Sequence, residues 1–134
     1  MNRDQIDNQV KIFYETRSRN SAADVLALFA SDAQVRLAGA VDASRIAHQT
    51  TTPDELSNTV SDLVGTWQWI NVEMLSVLIE GNSAAARYII NAKHKPSGEE
   101  ITAECMDQFF FDDIGKIKEL IEFVDTAKVA QLDG

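Results

Sequence analysis

The chain has 134 residues, 45% hydrophobic and 25% charged, which suits a single soluble domain that buries one core without disulfides or metal. Twenty-one acids against 12 bases leave a net charge of −9, and such a surface repels phosphate backbones and anionic lipid, which disfavours nucleic-acid and membrane partners. No apolar run approaches a membrane span and the opening MNRDQIDNQ is neither a signal nor a basic targeting segment, so a cytoplasmic location is the expectation.

In chain order, Ile6, Val10, Phe13, Tyr14 and Arg17 recur at helical spacing and predict an amphipathic helix from Arg3 to Arg19. Ser21, with Asp24 three residues on, predicts the cap of a short helix running to Phe29. The alternation of Ala33 to Leu37 predicts a short strand. Ala38 to Thr52 reads as an irregular loop, long enough for a lid or a pocket rim. Thr52-Pro53-Asp54-Glu55 is a strong helix start, and Leu56, Val60, Leu63, Val64 and Trp67 follow on one side until about Gly65 or Thr66.

At Trp69 the period drops to two. Strands are predicted at Trp69–Glu80, Ala84–Lys95, Glu100–Phe111 and Lys116–Val124, separated by the turns Gly81-Asn82-Ser83, Pro96-Ser97-Gly98 and Asp112-Asp113-Ile114-Gly115. Helices followed by an antiparallel meander define an α+β architecture in one domain spanning residues 1–134.

The hairpin from Glu104 to Asp125 carries the chemistry. Cys105, Asp107, Phe109 and Phe111 share one face of its first strand. With Phe111 opposite Ile117, the residues Ile117, Glu119, Ile121, Phe123 and Asp125 share that face on the second. Asp107 then faces Ile121 and Asp125 faces Ala103, about 13 Å apart along the strand, too far to share a proton. An acid among phenylalanines is expensive unless paired, hydrogen-bonded or kept protonated. Two alternatives stand beside a catalytic role: Asp107 hydrogen-bonded to backbone or to Tyr14, and Asp125 capping Thr126-Ala127-Lys128. Arg17, Arg36 and Arg87 are the cations that would hold an acid ionised. Leu120 and Val124 alternate onto the opposite face, where an apolar surface suits a homodimer. Cys105 reads as a small core residue. Two histidines without ligand spacing predict no metal.

The segments FYETRSRNSAADVLALFASDAQV, CMDQFFFDDIGKI and ELIEFVDTAKV together resemble the SnoaL-like polyketide cyclases and ketosteroid isomerases of the nuclear-transport-factor-2-like superfamily. The resemblance covers nearly the whole chain. It implies a cone-shaped, curved antiparallel sheet wrapped around a pocket and packed on N-terminal helices, the cystatin-like/nuclear-transport-factor-2-like fold. It also implies cofactor-independent acid–base chemistry, of isomerase, cyclase or hydrolase type, on a small apolar oxygenated molecule.

Residue by residue, Asp107 matches the protonated aspartate of the ketosteroid isomerases, which is a general example of a carboxylic acid kept neutral to donate a hydrogen bond. The matching tyrosine position is Phe13, with Tyr14 adjacent, and the base position is Leu37, or Asp42 after an insertion. Asp125 matches the terminal acid of the cyclases and epoxide hydrolases, whose Arg-x-Asp is replaced here by Arg87-Tyr88-Ile89. Asp107, Asp125 and Tyr14 are the implied catalytic groups. Phe13, Trp67, Tyr88, Phe109, Ile121, Phe123 and the loop residue His48 are the implied ligand contacts. The other reading is a non-catalytic, dimeric ligand-binding or scaffolding domain of the same fold.

Overall fold

The computed structural model describes residues 1–39 and 49–133. Helix α1 (Arg3–Ser18) is opened by a capping box: Asn2 accepts from the Gln5 N–H while the Gln5 side chain accepts from the Asn2 N–H. It ends at Asn20, whose φ of 57° is a left-handed turn that asparagine tolerates. The Asn20 amide then grips the backbone of Trp69 from both sides, accepting its N–H at 2.9 Å and donating to its carbonyl at 3.1 Å. That clamp fixes the end of α1, and with it Arg17, against the sheet.

Helix α2 (Ala22–Leu26) is capped by Ser21 as expected but stops short of Phe29, which opens strand β1 (Phe29–Leu37). Helix α3 (Pro53–Thr66) follows its Thr52 cap and buries Leu56, Val60 and Val64. The meander consists of β2 (Trp67–Glu80), β3 (Ser83–His94), β4 (Glu100–Phe111) and β5 (Ile117–Phe123), within a residue or two of the predicted strands. Helix α4 (Thr126–Asp133) closes the described chain.

The sheet order is β1-β5-β4-β3-β2. The meander is antiparallel, and β1 joins its far edge in parallel with β5. The sheet is curved and unclosed, with irregularities at Trp69/Asn71, Met74/Ser76 and Phe110/Phe111 that bend the strands. On its inner face β3 and β4 turn Ala84, Ala86, Tyr88, Ile90, Cys105, Asp107, Phe109 and Phe111 towards the helices. Among the described residues, no helix is long and apolar enough to cross a membrane.

The irregularity at Phe110/Phe111 decides which side chains face inward. Phe111 does pair with Ile117, as expected, but Phe110 pairs with Glu119, so Lys118 is an extra residue on β5. Beyond it the register is displaced by one, and a one-residue slip turns every following side chain to the other face. Asp107 therefore pairs with Glu122 rather than Ile121. Leu120 is buried in the core and Val124 lines the interior, correcting their assignment to an outer dimer face. Ile121 and Phe123 pair instead with the outward residues Gln108 and Met106.

Candidate active site

Between the β2–β5 end of the inner face and α4 lies a cavity of about 70 Å³. Its walls are Leu63, Ile90, Ala92, Ile101, Ala103 and Val124, with the rings of Trp67, Trp69 and Tyr88. The hollow exists because Ala92 and Ala103 stand where bulkier residues would fill the space. Hydrocarbon of benzene size occupies cavities of about 150 Å³, so this one encloses a fragment of a few heavy atoms.

The groups able to move or hold protons sit at one wall. Asp107 is 0% exposed and lies beneath the cavity lining rather than in it. Tyr14 Oη donates to its Oδ2 at 2.6 Å and Tyr88 Oη to its Oδ1 at 3.1 Å. Tyr14 is also withheld from the cavity, packed edge-on against Phe13 and Phe109 and stacked on Trp69. Glu122, opposite Asp107 on β5, does line the cavity and hydrogen-bonds Asp107 carboxyl to carboxyl.

Two carboxyls can hydrogen-bond only if a proton lies between them. Burial drives the Asp107 carboxyl well above the usual range; the neighbouring Glu122 charge adds to this, and the two tyrosine donors oppose it. Burial also raises Glu122, while Arg17 and the hydrogen bond with Asp107 oppose that shift. Asp107 meets neither cation nor cavity, so it keeps the proton. Glu122, nearer Arg17, is the carboxylate presented to a ligand.

Arg17 is 5% exposed and anchored by Asn20 Oδ1 (3.1 Å) and the carbonyls of Leu63 (3.2 Å) and Trp67 (2.7 Å), with its Cζ 4.7 Å from the Trp69 ring centre. Desolvation lowers its pKa to about 10, and the Glu122 charge holds it from falling further. Burial pushes the Cys105 thiol up to about 12, so it lines the cavity as a neutral group. Burial likewise raises both tyrosine hydroxyls, so both stay protonated as donors to Asp107.

Asp125 reaches the cavity at its rim but caps α4, accepting the Lys128 N–H at 3.0 Å on Oδ1. Among the other predicted contacts, Trp67 and Tyr88 line the cavity. Phe13 and Phe109 do not: they form an edge-to-face pair 5.1 Å apart within the solid part of the core. Ile121 and Phe123 lie on the other sheet face because of the extra residue at Lys118; Phe123 is 46% exposed there, whereas Ile121 is buried at 8%. His48 and Asp42 lie outside the described residues. Arg87 faces outward and pairs with Glu104 at 3.0 Å, which leaves Arg17 as the cation of the site.

Glu122 and Arg17 are the site residues that sequence patterning underrates. A signal for Glu122 exists in Ile117-Lys118-Glu119-Leu120, where two successive polar residues interrupt strict alternation just before the acid. Among the described residues no cluster of His, Cys, Asp and Glu is arranged to hold a metal.

A bent mixed sheet folded over N-terminal helices around an interior cavity is the architecture of the nuclear-transport-factor-2-like proteins. Within that class the chain belongs to the SnoaL-like domain family, whose sequence pattern matches residues 10–120. A candidate isomerase from Bacillus subtilis superposes with a TM-score of 0.84 over 100% of this chain and 96% of that one, at 12% identity. A nuclear-transport-factor-2-like protein from Burkholderia pseudomallei gives 0.77 over 96% of each chain, at 15% identity. SalBIII, an epoxide hydrolase/cyclase-like enzyme of pyran-ring formation in the polyether salinomycin, gives 0.74 over 90% of this chain and 91% of its own, at 12% identity. At such identities the likeness speaks for the fold. No curated protein matches the chain in sequence.

Proposed function

We propose that this SnoaL-like domain binds a small, largely apolar oxygenated molecule in its interior cavity and moves a proton on it through Glu122. The observation that carries this reading is one carboxyl facing an apolar hollow while hydrogen-bonded to a second, fully buried one. A general base works best when its pKa approaches the working pH, and burial shifts Glu122 in that direction. Glu122 takes the proton, Arg17 stabilises its ionised form, and Asp107 holds the proton behind it. Tyr14 and Tyr88 fix Asp107 and do not themselves meet the ligand as an oxyanion hole, since both hydroxyls already donate to Asp107. An isomerase- or cyclase-type reaction needing no cofactor is consistent with this set.

The test is deuterium exchange at carbons next to the carbonyl in a panel of small ketones and enones, followed by proton NMR in heavy water. The wild-type protein accelerates exchange for at least one member, and Glu122→Gln removes the acceleration while the fold persists. Acceleration undiminished in E122Q contradicts the assignment of the base. The non-catalytic binding reading is favoured if ligands raise the melting temperature yet none exchanges.

A further inference from the structure

The polar atoms that reach the cavity are mainly acceptors. Tyr88, the hydroxyl in its lining, already donates to Asp107. Arg17 directs N–H groups to Asn20 and to the carbonyls of Leu63 and Trp67. Cys105 contributes only a weak donor. What the lining offers a ligand is therefore the Glu122 carboxyl in the interior and the Asp125 carboxylate at the rim. One Asp125 oxygen caps α4, and the second accepts no hydrogen bond from a described residue.

Two cations of the described residues close to Asp125 are engaged elsewhere. Lys128 pairs with Glu99 at 3.1 Å and Arg87 with Glu104 at 3.0 Å. Asp125 also borders the outer groove formed by Arg87, Glu104, Met106 and Phe123 and is exposed, so solvent reaches it as well as the cavity. Behind it lie three aromatic rings, those of Trp67, Trp69 and Tyr88, which give an apolar body a wall to pack on. A chain of net charge −9 draws cations and turns anions away.

We propose that the ligand carries a protonated amine seated against Asp125 at the rim, with its apolar body between Trp67, Trp69 and Tyr88 and its far end at Glu122. This rests on the reading of Glu122 as the proton-transferring group and adds the charge class of the substrate. Anionic molecules of the same shape are excluded, because they would face two acids while Arg17, the cation in the described lining, already donates to Asn20, Leu63 and Trp67.

The chain's two tryptophans both line the cavity, so their indole N–H signals report its occupation. Titrating the full-length protein with n-butylamine, 1-butanol and butyrate at matched pH and ionic strength compares one shape in three charge states. The amine is expected to shift both indoles and to bind about tenfold more tightly than the alcohol. Butyrate is expected to leave both signals in place. Asp125→Asn keeps a good helix cap while removing the charge, and should bring the amine down to the level of the alcohol.

The proposal is overturned if the alcohol binds as tightly as the amine, or if the amine leaves the indoles unmoved. It is equally overturned if the preference survives in D125N, or vanishes in Glu122→Gln instead. An amine preference without Glu122-dependent deuterium exchange keeps the ligand class and removes the catalytic reading. Exchange without the preference does the reverse.

Discussion

One inner sheet face is built in two ways along its length. Towards the β4–β5 turn it is solid: Phe13, Phe29, Phe109 and Phe111 interlock, with Phe109 stacked on Phe111 at 5.7 Å and met edge-on by Phe13. Towards α4 it is hollow, because the same strands carry Ala92, Ala103 and Cys105. The carboxyl pair sits where the two halves meet, Asp107 on the solid side and Glu122 on the hollow side. The difference teaches that polar chemistry need not be carried by the most deeply buried acid. The solid half dries and orients Asp107, and the hollow half gives its neighbour access to a ligand.

The sharpest way to break this arrangement is to remove the acid from the solid half. Asp107→Ala leaves two buried tyrosine hydroxyls without their acceptor and Glu122 without its partner. A loss of about 2–4 kcal/mol in urea denaturation is expected. The same truncation in the hollow half, Asp125→Ala, removes a helix cap and is expected to cost about 1 kcal/mol.

The pH dependence sharpens the comparison next. Asp107 and Glu122 are both raised in the folded protein, so the folded state binds protons that the unfolded chain has released. Their contribution is fully present below the unfolded carboxylate range near pH 4 and is lost as pH rises through the folded values. Each unit of upward shift corresponds to about 1.4 kcal/mol. The double variant Asp107→Asn/Glu122→Gln should flatten that slope in denaturation curves from acid to mildly alkaline pH, whereas Asp125→Asn should leave it.

Filling the hollow gives a smaller effect on folding and a large one on binding. Ala103→Leu adds apolar volume to existing space and should change stability by less than about 1.5 kcal/mol, while abolishing the indole shifts produced by n-butylamine. A steep loss of stability would mean that the space is not there.

The smallest effect concerns the outer face, where Leu78 is 69% exposed and Met106 and Phe123 pair across strands. With Leu120 and Val124 now inside, these residues are the surface for the proposed homodimer. Phe123→Ser should leave the fold intact and lower the sedimentation coefficient if that proposal holds; an unchanged coefficient opposes it.

Much of this was readable in the sequence for a physical reason: periodicity reports which face of an element is wet. Thr52-Pro53 starts α3 where its chemistry requires, the period changes at the β2 boundary within two residues, and β4 keeps Cys105, Asp107, Phe109 and Phe111 on one side as its alternation predicts. The Asp107–Tyr14 bond answers the need of a buried acid for a donor, which the sequence shows. What alternation does not carry is an inserted residue. One bulge at Lys118 moves Glu122 to the inner face and Ile121 and Phe123 to the other, so alternation predicts the hairpin but only half of its site. The parallel docking of β1 on β5 is likewise a tertiary choice that no local pattern records.

The most direct test of the central claim is a carbon-13 NMR titration of the glutamate and aspartate carboxyl carbons, with Glu122 and Asp107 assigned by single substitution. A linked titration of these two carbons, above the range of the chain's surface acids and altered at Glu122 by Asp107→Asn, is the predicted result. If Glu122 instead titrates independently within the ordinary carboxylate range, there is no shared proton at the cavity wall, and the account is contradicted.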